Sequence, residues 1–320
     1  MTSEATTTAS KDTAAISEGT TSASEGTTTT TEETSATSEA TAEASVDTEV
    51  TVVTAYFDLG SFEKGSPNNV FTKQKYYGWM KTFQNIQNPL VGYFDTNETF
   101  NVFKKLRAHL PANHTRLFLV ERSQLWSFSL RDQINEIFKN PSYPKFSPNT
   151  VLPEYSCAMH AKYEVMNTTI KNNYFKTKYF CWLDIGLFRS ISENTDAFTL
   201  GLPKGFDPTH IAYQEVSPRN SDLDPGSIFR GNLYWVCGCF FLGEKGLMLK
   251  WTQLYKDYVV KYLTQGLMNT DQQIIYAMFS THGNQPRPAI ELQLFKPDGR
   301  FNPWFSLGYL SKEAGQRKNS

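Results

Sequence analysis

Short apolar runs separated by turn-forming residues organise this chain from about residue 49 onward. Val50-Thr51-Val52-Val53-Thr54-Ala55-Tyr56-Phe57-Asp58 is β-branched and aromatic and ends on Asp58-Leu59-Gly60, which predicts a buried first strand followed by a turn. Residues 69–83 place Tyr76, Met80 and Phe83 at helical spacing, add Tyr77 and Trp79, and stop before Pro89. A strand over 90–95, a helix over 98–110 and a strand over 117–120 come next. The alternation β-α-β-α-β with short connections predicts a mostly parallel sheet flanked by helices. Residues 123–140 read as a helix, 141–153 as a Pro-rich surface loop and 155–172 as a strongly patterned helix. Later strands are expected at 210–214, 234–243 and 291–295, and helices at 247–263 and 270–279. Residues 217–231 are polar and punctuated by Gly and Pro, a loop composition, and a long loop beside a site is often functional. No internal repeat is present.

The most informative run is Lys178-Tyr179-Phe180-Cys181-Trp182-Leu183-Asp184-Ile185-Gly186. An uncharged run of five apolar or aromatic residues reads as a strand buried on both faces. Asp184 then falls at its carboxyl end, where open α/β sheets bind ligands, and Gly186 frees the exit angle of the chain. A carboxylate there is costly unless it is solvated, paired or bound to a cation. The alternative is a turn aspartate that only ends the strand.

Composition divides the chain. Residues 1–48 are almost entirely Thr, Ser, Ala, Glu and Gly, with no aromatic residue, so they cannot bury enough apolar surface to offset ordering and are expected to be disordered. An α/β domain is expected over 49–312 and a polar tail over 313–320. Residues 1–49 hold ten acids and one base; removing them from totals of 31 basic and 32 acidic residues leaves 30 and 22, a formal +8 against −1 for the whole chain. A basic folded part suits an anionic ligand, but the charges are scattered, and no zinc-finger spacing, RNA-binding signature or Lys/Arg run points to nucleic acid.

No run reaches the ~18 apolar residues of a membrane span, and no signal peptide opens the chain. A soluble, non-secreted protein is expected on those grounds. Sequons at Asn97, Asn113 and Asn167, with a tail resembling an O-glycosylated stalk, point instead toward the secretory pathway. Cys181 and Cys237 lie in apolar runs and read as small buried hydrophobes, and Cys237-Gly238-Cys239 lacks the CxxC spacing of a zinc or redox site.

Three further positions carry candidate chemistry. Asp271 opens a helix after Asn269-Thr270, either as a dipole-favoured first-turn acid or as a base facing an acceptor hydroxyl. Lys162 is an ordinary solvated cation unless its helix lies over the sheet edge, where it could neutralise a phosphate. His282 and His160 are the histidines best placed for metal or acid/base roles. The chain has no P-loop, no GxGxxG after a strand, no HExxH and no GxSxG, which disfavours kinases, Rossmann dehydrogenases, zincins and serine hydrolases.

Tyr76-Tyr77-Gly78-Trp79-Met80, Tyr155 with Ala161-Lys162-Tyr163, Asn173-Tyr174-Phe175, the run Tyr179 to Gly186, Cys237-Gly238-Cys239-Phe240-Phe241-Leu242-Gly243 and Asp271-Gln272-Gln273 together resemble the HtrL/YibB family over about residues 50–310. That family looks like a branch of the GT-A glycosyltransferase-like folds. The resemblance implies transfer of a sugar from a nucleotide-sugar donor to a glycan or other hydroxyl acceptor. It seats the nucleotide base at Thr54, Ala55 and Tyr56, the donor at Asp184 and Gly186 with Lys162 on the diphosphate, and a general base at Asp271. Such folds usually carry Asp-x-Asp holding a divalent metal, whereas Asp184-Ile185-Gly186 lacks the second carboxylate. Asp184 and a histidine such as His282 would then share Mn²⁺ or Mg²⁺ with the diphosphate. The competing expectation is a sugar-recognising or structural domain that has lost catalysis.

Overall fold

The computed structural model describes residues 49–66, 68–143, 145, 152–282 and 288–317. The chain divides into Met1–Ser45 and Val46–Ser320, and the fold belongs to the second unit. The disorder expected for 1–48, most of the loop over 144–151 and the last three residues lie outside the described residues.

Nine strands are present among the described residues: β1 (Val50–Tyr56), β2 (Phe62–Glu63), β3 (Val70–Phe71), β4 (Leu90–Phe94), β5 (Thr115–Leu119), β6 (Tyr179–Leu183), β7 (Ile211–Glu215), β8 (Val236–Glu244) and β9 (Leu292–Phe295). Seven form one sheet in the order β5-β4-β1-β6-β8-β7-β9, and β2 and β3 form a separate antiparallel hairpin. Only β8 runs against the rest of the sheet. The helices are α1 (Lys73–Met80), α2 (Asn97–Arg107), α3 (Trp126–Ser129), α4 (Arg131–Phe138), α5 (Pro153–Asn172), α6 (Pro225–Arg230), α7 (Lys245–Thr264), α8 (Asp271–Met278) and α9 (Ser306–Arg317). The fold is therefore α/β, with a mostly parallel central sheet flanked by helices.

The period of two along each strand explains why β6 has no polar residue. Phe180 and Trp182 pack into one core with α5, α7 and α8, while Tyr179, Cys181 and Leu183 pack into the core on the opposite face. Helix α5 starts with Pro153 in its first turn and ends where Asn173 turns left-handed at φ 39°, its N–H returning to Thr169 O. Buried side chains occur all round α5, because it lies between the sheet and α7 rather than on the surface.

Several expectations change. The single helix over 123–140 is two, broken at Leu130, which closes α3 and opens α4. Residues 217–231 contain α6, capped by the Asp224 carboxylate on Ser227 N. The polar stretch from 313 to 317 is not a tail but the end of α9. That helix docks through Ser311, whose Oγ donates to Gly201 O at 2.7 Å while its carbonyl accepts from Gly201 N at 2.9 Å. Among the described residues no helix is long and apolar enough to cross a membrane. The Asn167 sequon is obstructed, since its side-chain amide donates to Thr252 Oγ1 at 2.8 Å.

Candidate functional site

Strands β1 and β6 lie side by side and point the same way, so Ala55-Tyr56-Phe57 and Asp184-Ile185-Gly186 leave the sheet at one edge. Antiparallel β8 begins at that edge with Cys237-Gly238-Cys239, and Asp184 N donates to Cys239 O at 2.9 Å. Helix α5 presents Tyr155, Ala158, Met159 and Lys162, one face at i, i+3, i+4 and i+7, and α8 brings its first residue, Asp271. These elements surround a cleft of about 480 Å³.

Lys162 is the centre of its charge. The Nζ lies 2.9 Å from Gly238 O, 3.1 Å from Asp271 Oδ2 and 3.2 Å from Asp184 Oδ1, so all three ammonium protons have acceptors. Burial lowers the proton affinity of Lys162, but the Asp184 and Asp271 carboxylates outweigh it and the net shift is upward. Asp271 is 2 % exposed, and burial raises its pKa against the opposing pull of Lys162. Asp184 is a third exposed on its side chain; its Oδ1 also accepts the Trp182 indole N–H at 2.6 Å, leaving Oδ2 toward the cleft. Gln272 and Gln273 hold the start of α8 by donating to Val236 O and Leu233 O at 3.1 and 3.0 Å.

The structure brings Ala55, Tyr56, Lys162, Asp184, Gly186 and Asp271 to this cleft. Thr54 is not in it: the residue is fully buried and its hydroxyl donates to Leu183 O at 2.7 Å, tying β1 to β6. Lys162 is committed to the two carboxylates rather than held ready for a phosphate. His282 is exposed and does not line the cleft. His160 is buried, with Nδ1 2.7 Å from Tyr255 Oη and Nε2 3.1 Å from Met268 Sδ, so it is a packing residue. Residues 217–231 do not line the cleft either. Cys237 is not a lone hydrophobe, because its sulfur pairs with that of Cys239 across Gly238.

Burial, aided by the nearby Lys162 charge, pushes His160 down to about 3 from its ordinary value of 6.5. Its folded-state pKa is depressed, so below pH ~6.5 the unfolded chain binds a proton that the native state refuses. Stability from this residue is complete above that pH and falls by about 1.4 kcal/mol per pH unit until the pH reaches its folded pKa. Urea unfolding at stepped pH values checks this: the acid slope should flatten in His160→Gln, and an unchanged slope refutes it.

Sequence reasoning missed most of the wall. Tyr76 and Trp79 from α1, and Trp304 and Phe305 from the segment before α9, line the cleft with Tyr155 and Trp182. Lys64, between β2 and β3, and Arg189, after β6, supply two more cations. Their signal in the sequence is slight, because the aromatic residues are scattered over more than two hundred positions.

The donor set does not fit a divalent metal. Asp184 offers one free oxygen beside an ammonium, and Asp271 Oδ2 is already engaged by that ammonium. Among the described residues no histidine lines the cleft, and no group of three or more His, Cys, Asp or Glu could hold a metal ion.

Residues 48–285 match a family model described as "Bacterial protein of unknown function (HtrL_YibB)". No curated protein matches the chain.

Proposed function

The chain belongs to the HtrL_YibB family, and from the chemistry of its cleft we propose that it transfers a glycosyl group from a nucleotide-sugar donor to a hydroxyl acceptor. The observation that carries this reading is the meeting of Asp184 and Asp271 on Lys162 within an aromatic-walled cleft. Ring faces suit the C–H faces of a sugar, and carboxylate oxygens suit its hydroxyls. The position at the carboxyl edge of parallel strands is the usual ligand crevice of α/β sheets.

In this mechanism Asp184 Oδ2 accepts a donor hydroxyl and fixes the sugar. Asp271 takes the proton of the acceptor hydroxyl as its oxygen bonds to the anomeric carbon. The bond from that carbon to the diphosphate breaks, and the leaving oxygen keeps the electron pair. Burial makes Asp271 a better base than an exposed carboxylate, while Lys162 keeps it ionised. No step runs through a metal.

The test is release of nucleoside diphosphate from a panel of nucleotide sugars. Asp271→Asn should lower kcat by about 10²–10⁴. Asp184→Asn should abolish turnover with the far-UV spectrum unchanged. No release by the wild-type protein across the panel, or full activity in either variant, rejects the transferase.

A second reading is a sugar-binding domain without catalysis. The full occupation of the Lys162 ammonium favours it, since such a network also serves to hold a rigid carboxylate pair. It expects no turnover, yet a gain of about 2.7 kcal/mol in stability at a sugar concentration 100 times its Kd.

A further inference from the structure

We infer that Lys64 and Arg189 form an anion subsite on the cleft wall that holds the donor's diphosphate in place of a divalent cation; the donor part of this rests on the transfer reading above. Five charged residues line the cleft: Lys64, Lys162, Asp184, Arg189 and Asp271. Lys162 and its two carboxylates compensate one another internally. Lys64 and Arg189 make no ion pair with any carboxylate among the described residues, so their charge is directed at whatever enters.

Both cations are held by aromatic faces. Arg189 stacks over Phe305 at 4.5 Å and Trp79 at 5.5 Å, and Lys64 lies over Tyr155 at 5.0 Å and Phe71 at 5.7 Å. The two platforms adjoin, because Phe71 and Trp79 meet edge to face with centroids 5.9 Å apart. Tyr76 packs against both, at 6.2 and 5.1 Å. The cations therefore stand on one continuous aromatic wall. A ring face restrains a guanidinium through its π surface and leaves the N–H edge free for a phosphate fork. When the bond to the sugar breaks, negative charge grows on the phosphate oxygen, and fixed cations beside it stabilise that charge without metal.

Calorimetry in EDTA tests this, with inorganic pyrophosphate, uridine diphosphate and uridine as probes. Wild type should bind pyrophosphate and uridine diphosphate but uridine far more weakly. Lys64→Gln and Arg189→Gln should each weaken pyrophosphate about tenfold or more. Both side chains sit at the rim, so melting temperatures should stay within a few degrees of wild type. Equal binding by wild type and both variants, or binding that appears only with Mn²⁺, overturns the subsite. Turnover separates the two proposals. Nucleotide-sugar cleavage that survives both substitutions with unchanged KM sinks the subsite and spares the transferase. Metal-free pyrophosphate binding that is weakened in both variants, with no turnover by wild type, does the reverse.

Discussion

Lys162→Met destabilises the protein by about 3–5 kcal/mol, because it leaves a buried carboxylate without its counter-charge. Asp271 is 2 % exposed and, among the described residues, has no other cation within ion-pair distance. Asp184, a third exposed, is partly rescued by water and by the Trp182 indole. The Gly238 carbonyl also loses its donor. Much of the loss should return in the double variant Lys162→Met/Asp271→Leu, which replaces a broken ion pair with apolar groups of similar volume. Chemical denaturation of the single and double variants measures both steps. A Lys162→Met protein within about 1 kcal/mol of wild type would falsify the burial argument, since that is the scale of an exposed pair.

Gly238→Ala should be almost as damaging, for a steric reason. A Cβ at this position would lie 2.0 Å from Asp271 Oδ2 and 2.7 Å from its Cγ. No rotation of a flexible chain end relieves that overlap, because Asp271 is fixed by α8 and by Lys162. The carboxylate must leave the ammonium, so both stability, by about 3 kcal/mol, and turnover should be lost. Gly78→Ala is the matched control. Gly78 lies inside α1 with nothing within 4 Å of an added Cβ, and alanine there should stabilise by about 0.5–1 kcal/mol. Thermal melts of the two variants should therefore move in opposite directions. Similar shifts for both would mean that Gly238 is not a close-approach position.

The chemistry of the cleft was more legible than its shape. Asp184 is readable because a two-sided buried strand forces an uninterrupted apolar run, and the first charge after it marks the sheet edge. Asp271 and Lys162 stand in short motifs, but their pairing across 109 residues is a product of topology, and a cation's neighbours cannot be read from periodicity. That is why Lys162 looked free for a phosphate. The hairpin of β2 and β3 has two residues per strand, too few to show a period, so nothing in the sequence singles out Lys64 between them. Thr54 was misplaced for a related reason. Strand alternation turns its hydroxyl toward Leu183 and its neighbour Ala55 toward the cleft. Helix α9 escaped notice because its large packing side chains, Leu307 and Tyr309, lie in its first turn, and its later turns meet the core by backbone approaches at Gly201 and Gly315.

Trp304 and Phe305 follow the matched span of 48–285, whereas Lys162, Asp184 and Asp271 all fall inside it. Under the proposed transfer, the groups that react and part of the surface that grips are thus written in separate stretches of chain. On that reading, substitutions around 302–305 should retune which molecule is held, through the ring under Arg189, while leaving Lys162, Asp184 and Asp271 untouched. A transferase built this way would let ligand choice drift by mutation at the rim while bond-making stays locked beneath it.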